Sequence, residues 1–201
     1  MRARVFRYLK ITGALLGVSF LTFLAVRIYD SQRGLPLEPW HTYIPDELRT
    51  QKLETANWAE YLTAEARIFD EVRREVSQKL DAAERVPANR YFEGSPVYPG
   101  HFVQDFNRSF VLEPEGKPVG AVVLLHGLTD SPYSQRHIAR FYRDQGFLAI
   151  VPRMPAHGTV PAALTDVEWE DWMAATRLAV REARARTGPS TPLHLVGFSN
   201  G

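Results

Sequence analysis

The chain has 201 residues, 45% of them hydrophobic and 23% charged, and no cysteine. That size and composition suit one α/β domain with a sizeable core, and the missing thiol excludes a disulfide framework and a cysteine nucleophile. A formal net charge of +1 argues against a general nucleic-acid binder.

The charge is uneven along the chain. Arg2, Arg4, Arg7, Lys10 and Arg27 face only Asp30 in the first 30 residues. Residues 1–10 read as a basic cytoplasmic tail. Ile11 to Val26 carries no charge, and Ile28 and Tyr29 extend it past Arg27, whose head can snorkel to an interface. Residues 11–29 are therefore expected to span a membrane as a signal anchor, with the remainder on the extracytoplasmic (periplasmic or extracellular) side. A cleaved signal peptide is the competing reading. No small-residue cleavage pattern follows the run, and Arg27 falls where cleavage would occur.

Residues 30–100 read as a linker and helical region. Ser31 to Asp46 is punctuated by Pro36, Pro39 and Pro45. Leu53 to Glu84 has apolar residues at helical spacing: Trp58, Leu62, Ala66, Phe69, Val72, Val76 and Leu80. That stripe suits an amphipathic helix packed on the next domain better than a dimerising stalk, because it is short for a coiled coil. Pro87 to Gly100 is irregular. Asn107-Arg108-Ser109 matches a glycosylation sequon, a pattern common by chance.

Residues 101–201 alternate strand and helix. Strand-like stretches lie at His101–Val103 and Ser109–Glu113. Val119–Leu125 is continuously apolar, as in a strand covered on both faces. Ser131-Pro132 opens a helix that stops at Gly146. Phe147–Val151 is the next strand. Pro152–Pro161 is a loop carrying Ala156-His157-Gly158. Thr165-Asp166-Val167-Glu168 forms a capping box for a helix reaching Arg186, with Trp169, Trp172, Met173, Thr176 and Val180 inward. Glu168 and Asp171 read as neighbours on a solvated helix face. Pro192–Val196 is the last strand. This alternation predicts an α/β fold with a doubly wound, mostly parallel sheet, preceded by a transmembrane helix and an amphipathic helix.

Two motifs carry chemistry. Gly197-Phe198-Ser199-Asn200-Gly201 matches G-x-S-x-G, in which a serine sits on a tight strand-to-helix turn and the glycines leave room for it. His126-Gly127-Leu128 ends the first long strand, where α/β sheets place their sites. The N–H groups of Leu128 and Asn200 are positioned to bind an oxyanion. Neither motif suggests a cofactor, and no metal-ligand spacing occurs.

Together, LLHGLTDSP, RMPAHGT, DVEWEDWMA and GFSNG resemble the α/β-hydrolase superfamily, most of all its carboxylesterase and monoacylglycerol-lipase branch, over about Ser109 to Gly201. The resemblance implies that Ser199 is a nucleophile, that Leu128 and Asn200 supply the oxyanion hole, and that His126, Gly127, Gly197 and Gly201 shape the turns. His126 and His157 match non-catalytic histidines of the family. Ala156 stands where the family has glycine, and Asn200 where the branch has an apolar residue. The implied activity is hydrolysis of small-molecule or lipid-derived esters, with an acyltransferase, a peptidase or a non-catalytic scaffold as alternatives. In the family the acid and base follow the serine in sequence. His41, His101, His126, His137, His157 and His194 all precede Ser199. The acid and base are therefore expected in further chain beyond residue 201.

Overall fold

The computed structural model describes residues 2–34, 36–105 and 107–201, with residues 2–5 as backbone only. It divides into two units, residues 1–37 and 38–201.

The first unit is one helix, α1 (Arg2–Gln32). Its stretch from Phe6 to Gln32 is long and apolar enough to cross a membrane. Leu15, Leu16, Phe20 and Leu21 all face outward from this helix. Ser31 and Gln32 are helical rather than part of a linker.

The second unit is built on a four-stranded sheet of β1 (Phe110–Leu112), β2 (Gly120–Leu125), β3 (Phe147–Val151) and β4 (Leu193–Gly197). The spatial order is β1-β3-β2-β4. β2 runs parallel to both β3 and β4, and β1 runs antiparallel to β3. The sheet is thus mixed, with two parallel strand pairs and one antiparallel pair. Residues 101–103 form a 3-10 turn and bends instead of a strand, since Pro99 and Gly100 start a turn there.

Both faces of β2 are covered. Val122 and Leu124 pack with Ala139 of α5 (Arg136–Asp144), while Ala121, Val123 and Leu125 pack with Ala174, Leu178 and Ala179 of α6 (Trp169–Thr187). The buried face of α6 is alanine-rich, which lets the helix lie close to the sheet. Trp169 and Met173 are mainly exposed, against expectation, and Thr176 alone of the predicted inward set is buried. The start of α6 is also shifted. Thr165 Oγ1 donates to the Ala162 carbonyl within a 3-10 turn, and the capping box is Glu168 with Asp171.

The expected long helix over 53–84 is two helices, α3 (Thr50–Thr55) and α4 (Trp58–Glu75), followed by 3-10 turns. Asn57 breaks it: its side chain accepts the Glu60 N–H at 3.0 Å while Glu60 caps Asn57 in return. The inward stripe of α4 is Trp58, Tyr61, Glu65, Ile68 and Val72. A four-residue helix, α2 (Pro39–Thr42), precedes α3 within the stretch expected as linker, and Trp40 and Tyr43 pack against the Val72–Val160 cluster.

Asp171 is buried and not solvated. It accepts hydrogen bonds from Thr50 N and Oγ1, each at 2.7 Å, from Glu168 N, and from Arg49. Burial alone pushes such a carboxyl up, but these donors hold it below its ordinary value. One side chain thereby fixes the starts of α3 and α6.

Candidate active site

The crossover order brings two loops together. β3 and β4 lie on opposite sides of β2, so the sequence direction reverses at β2. The carboxyl ends of β2 and β4 then adjoin at a topological switch point, where open α/β sheets bind ligands.

From the end of β4, Phe198 N donates to the Leu125 carbonyl at 3.1 Å and Gly201 N donates to the Phe198 carbonyl at 3.0 Å. These bonds close a tight turn. Ser199 sits inside it at φ +56°, a left-handed conformation that costs a side chain with a Cβ about 1–2 kcal/mol. The glycines answer to the same crowding. A Cβ on Gly201 would lie 2.6 Å from the Leu125 oxygen, and one on Gly197 would run into the backbone of Gly201. A Cβ on Gly127 would come 3.4 Å from the Ser199 Cβ, which places the two turns in direct contact. Ser199 and Asn200 are exposed.

From the end of β2, Asp130 N donates to the Gly127 carbonyl at 3.2 Å and rounds the chain off. Among the described residues, no protein acceptor takes the N–H of Leu128 or of Asn200.

His126 is buried and holds this turn. Its Nε2 accepts the Met154 N–H at 3.0 Å, which leaves Nδ1 as the protonated nitrogen facing the Gly127 carbonyl at 3.0 Å. Desolvation depresses its pKa to about 4, against which the Gly127 carbonyl pulls upward. It is a neutral strut. His157 packs edge-on against it, with ring centroids 4.9 Å apart, and Trp172 packs on His157 in turn. Burial lowers the pKa of His157 as well.

The loop after β3 is anchored by a buried ion cluster that the sequence reading missed. Arg153 pairs with both oxygens of Glu47 at 2.9 Å and with Glu65 at 3.3 Å, and it also donates to the His157 carbonyl at 2.9 Å. Glu65 accepts from Ser109 N and Oγ, Ser109 Oγ accepts from Arg153 N, and the Tyr61 hydroxyl donates to the Arg153 carbonyl. Burial pushes the Glu65 carboxyl up, with Arg153 and Ser109 pulling it back. In the folded chain Glu65 falls within the inward stripe of α4, where an unpaired charge is costly.

Ala156, in this loop, has φ +70°, the conformation for which glycine is favoured. Asn107 of the sequon is tied on both sides, to Asp105 at 2.9 Å and to Ser131 at 3.1 Å. A recess of about 350 Å³ adjoins the loop, with Leu128, His157, Thr159 and Tyr91 on its walls.

Two further histidines, His194 and His41, are engaged elsewhere. His194 Nδ1 lies 3.3 Å from the Tyr142 hydroxyl, and His41 bonds Glu38 N and Trp40. Among the described residues no hydrogen bond joins Ser199 to a histidine or a carboxylate, and no group of three or more metal-binding side chains converges.

No protein-family model matches the chain. A thermostable monoacylglycerol lipase from Bacillus sp. (strain H-257) is 38% identical over 61 residues, which are 30% of this chain and 24% of that protein. A solved structure described with LipS and LipT, two metagenome-derived lipolytic enzymes, is 27% identical with a TM-score of 0.42, over 48% of this chain and 37% of its own. The chain thus matches about a quarter of its curated relative's length. Taken with the motifs, the similarity to the monoacylglycerol lipase supports a relationship between the chain and the α/β-hydrolase superfamily.

Proposed function

We propose that this chain carries the nucleophile and oxyanion hole of a serine hydrolase acting on carboxylic esters, anchored in a membrane by α1. Ser199 Oγ attacks the acyl carbon. The Leu128 and Asn200 N–H groups receive the negative charge on the carbonyl oxygen. The ester C–O bond then breaks, the alcohol departs with a proton, and water releases the acid from Ser199. The reaction also requires a base that takes the serine proton and an acid that orients that base. The ester is small or lipid-derived, and the domain lies on the extracytoplasmic side with the N-terminus in the cytoplasm.

One observation carries this reading: Ser199 holds a strained left-handed backbone at the carboxyl end of β4, against the Gly127 turn. Strain of this kind persists where the surroundings enforce it, often at reactive sites. The similarity to a monoacylglycerol lipase supports the substrate class. The test is hydrolysis of short- and medium-chain monoacyl esters by the gene product bearing this sequence. Ser199→Ala is expected to lose at least about 10³-fold in kcat while retaining the fold. Unchanged hydrolysis in that variant would remove Ser199 from the mechanism and turn attention to a non-catalytic role.

A further inference from the structure

We propose that the surface formed by residues 97–104 and the start of α5 docks onto an anionic lipid bilayer. Three large apolar side chains stand out in residues 97–104, a segment with only one 3-10 turn of regular structure, and Tyr133 joins them from the 3-10 turn that leads into α5. Phe102 is 58% exposed, Val103 is fully exposed, and Val97 and Tyr133 are about half exposed. They rim a shallow recess of about 680 Å³. Such clustering is unfavourable in water and marks a contact surface.

The charge around the recess selects the partner. Arg90, Arg136 and Arg140 line it. The guanidinium of Arg136 lies 3.7 Å over the Tyr133 ring and also donates to the Tyr133 carbonyl, so this cation is held beside the apolar tips. Among the described residues no carboxylate pairs with Arg90 or Arg136. The one carboxylate in the recess, Asp105, is matched by Arg108 at 3.4 Å. Apolar tips among arginines suit the headgroup boundary of an anionic membrane: the tips enter the acyl region while the guanidinium groups bind lipid phosphates. Two copies of this face would repel one another. The α/β unit begins at Glu38, six residues after α1 ends at Gln32, so a membrane-inserted α1 keeps the lipid at high local concentration. Docking uses α1 as an anchor but does not depend on Ser199 chemistry.

The chain lacks cysteine, so a single Val103→Cys substitution at this exposed site accepts an environment-sensitive fluorophore. The labelled full chain is reconstituted through α1 into vesicles of phosphatidylcholine alone or with phosphatidylglycerol. Ala185→Cys, exposed on α6, is the reference site. With the anionic lipid, the label at 103 is expected to shift to the blue and be quenched by spin-labelled lipid, while the label at 185 is not. The double variant Arg90→Gln/Arg136→Gln should lower the docked-to-undocked ratio by about tenfold or more. A label at 103 that stays in water in both lipids would overturn the proposal. So would equal quenching at both sites, or energy transfer between copies without lipid quenching. None of these readouts involves hydrolysis, so the hydrolase reading stands or falls separately.

Discussion

His126 Nε2 accepts the Met154 backbone N–H at 3.0 Å, and so ties the turn that bears Leu128 to the loop that follows β3. The bond works only while that nitrogen is unprotonated. Protonation would set two N–H groups against each other in a buried site.

The pH dependence follows. The His126 pKa falls from 6.5 to about 4 on folding. The unfolded chain therefore takes up a proton first as pH falls, and stability is lost between about 6.5 and about 4. The full loss amounts to about 3 kcal/mol. His157 acts in the same direction. Glu65 acts in the opposite one, since its raised pKa costs stability as pH climbs above its unfolded value. Urea unfolding at pH 7 and pH 5 checks this, with a lower midpoint expected at pH 5. His126→Gln should flatten the difference, at the expense of stability at pH 7.

Among the described residues, Arg153 is the only cation paired with both Glu47 and Glu65, two buried carboxylates. Arg153→Met leaves both charges without their partner, and a loss of about 3–5 kcal/mol is expected. Arg186→Met removes two surface pairs, with Glu113 and Glu182, and should cost under about 1 kcal/mol. Equal midpoints for the two variants in chemical denaturation would contradict the buried pairing.

Two alanines separate backbone strain from burial. Ala156 and Ala179 are both buried, but only Ala156 has a positive φ. Ala179→Gly, within α6, should cost about 2 kcal/mol from lost helix propensity and a lost methyl group. At Ala156 the relief of the left-handed strain offsets the lost methyl, and the change should stay within about 1 kcal/mol. Thermal midpoints of the two variants rank them.

A matched pair of glycines tests the wall of the recess. Gly158 and Gly116 have nearly equal positive φ, +73° and +77°. A Cβ at Gly158 would meet the Asn107 backbone oxygen at 2.7 Å, whereas at Gly116 it meets open space. Gly116→Ala should cost about 1 kcal/mol, and Gly158→Ala about 1–3 kcal/mol more. Unfolding free energies of equal size would show that Asn107 gives way freely.

Much of this was legible in the sequence. The runs that became β2, β3 and β4 are continuously apolar or end on diagnostic glycines, so period and punctuation agreed. Registers of burial were harder. The stripe of α4 runs through Tyr61, Glu65 and Ile68 because a buried arginine from 88 residues away neutralises Glu65, a pairing that helical spacing alone cannot reveal. In α6 the large residues Trp169 and Met173 drew the inward face to the wrong side, while the small alanines pack on the sheet. The antiparallel direction of β1 is not legible in a run of three residues, because it is set by pairing with β3. The two turns of the candidate site were readable because tight backbone geometry demands glycine. What buttresses them, His126 on Met154 and Arg153 on Glu47, depends on the tertiary fold.

The most direct measurement is covalent. The gene product bearing this sequence is treated with a fluorophosphonate, digested, and mapped by mass spectrometry. A single phosphonylated serine, Ser199, is expected, with no adduct in Ser199→Ala. An unmodified Ser199 in protein shown to be folded by its cooperative unfolding would contradict the proposed role of Ser199.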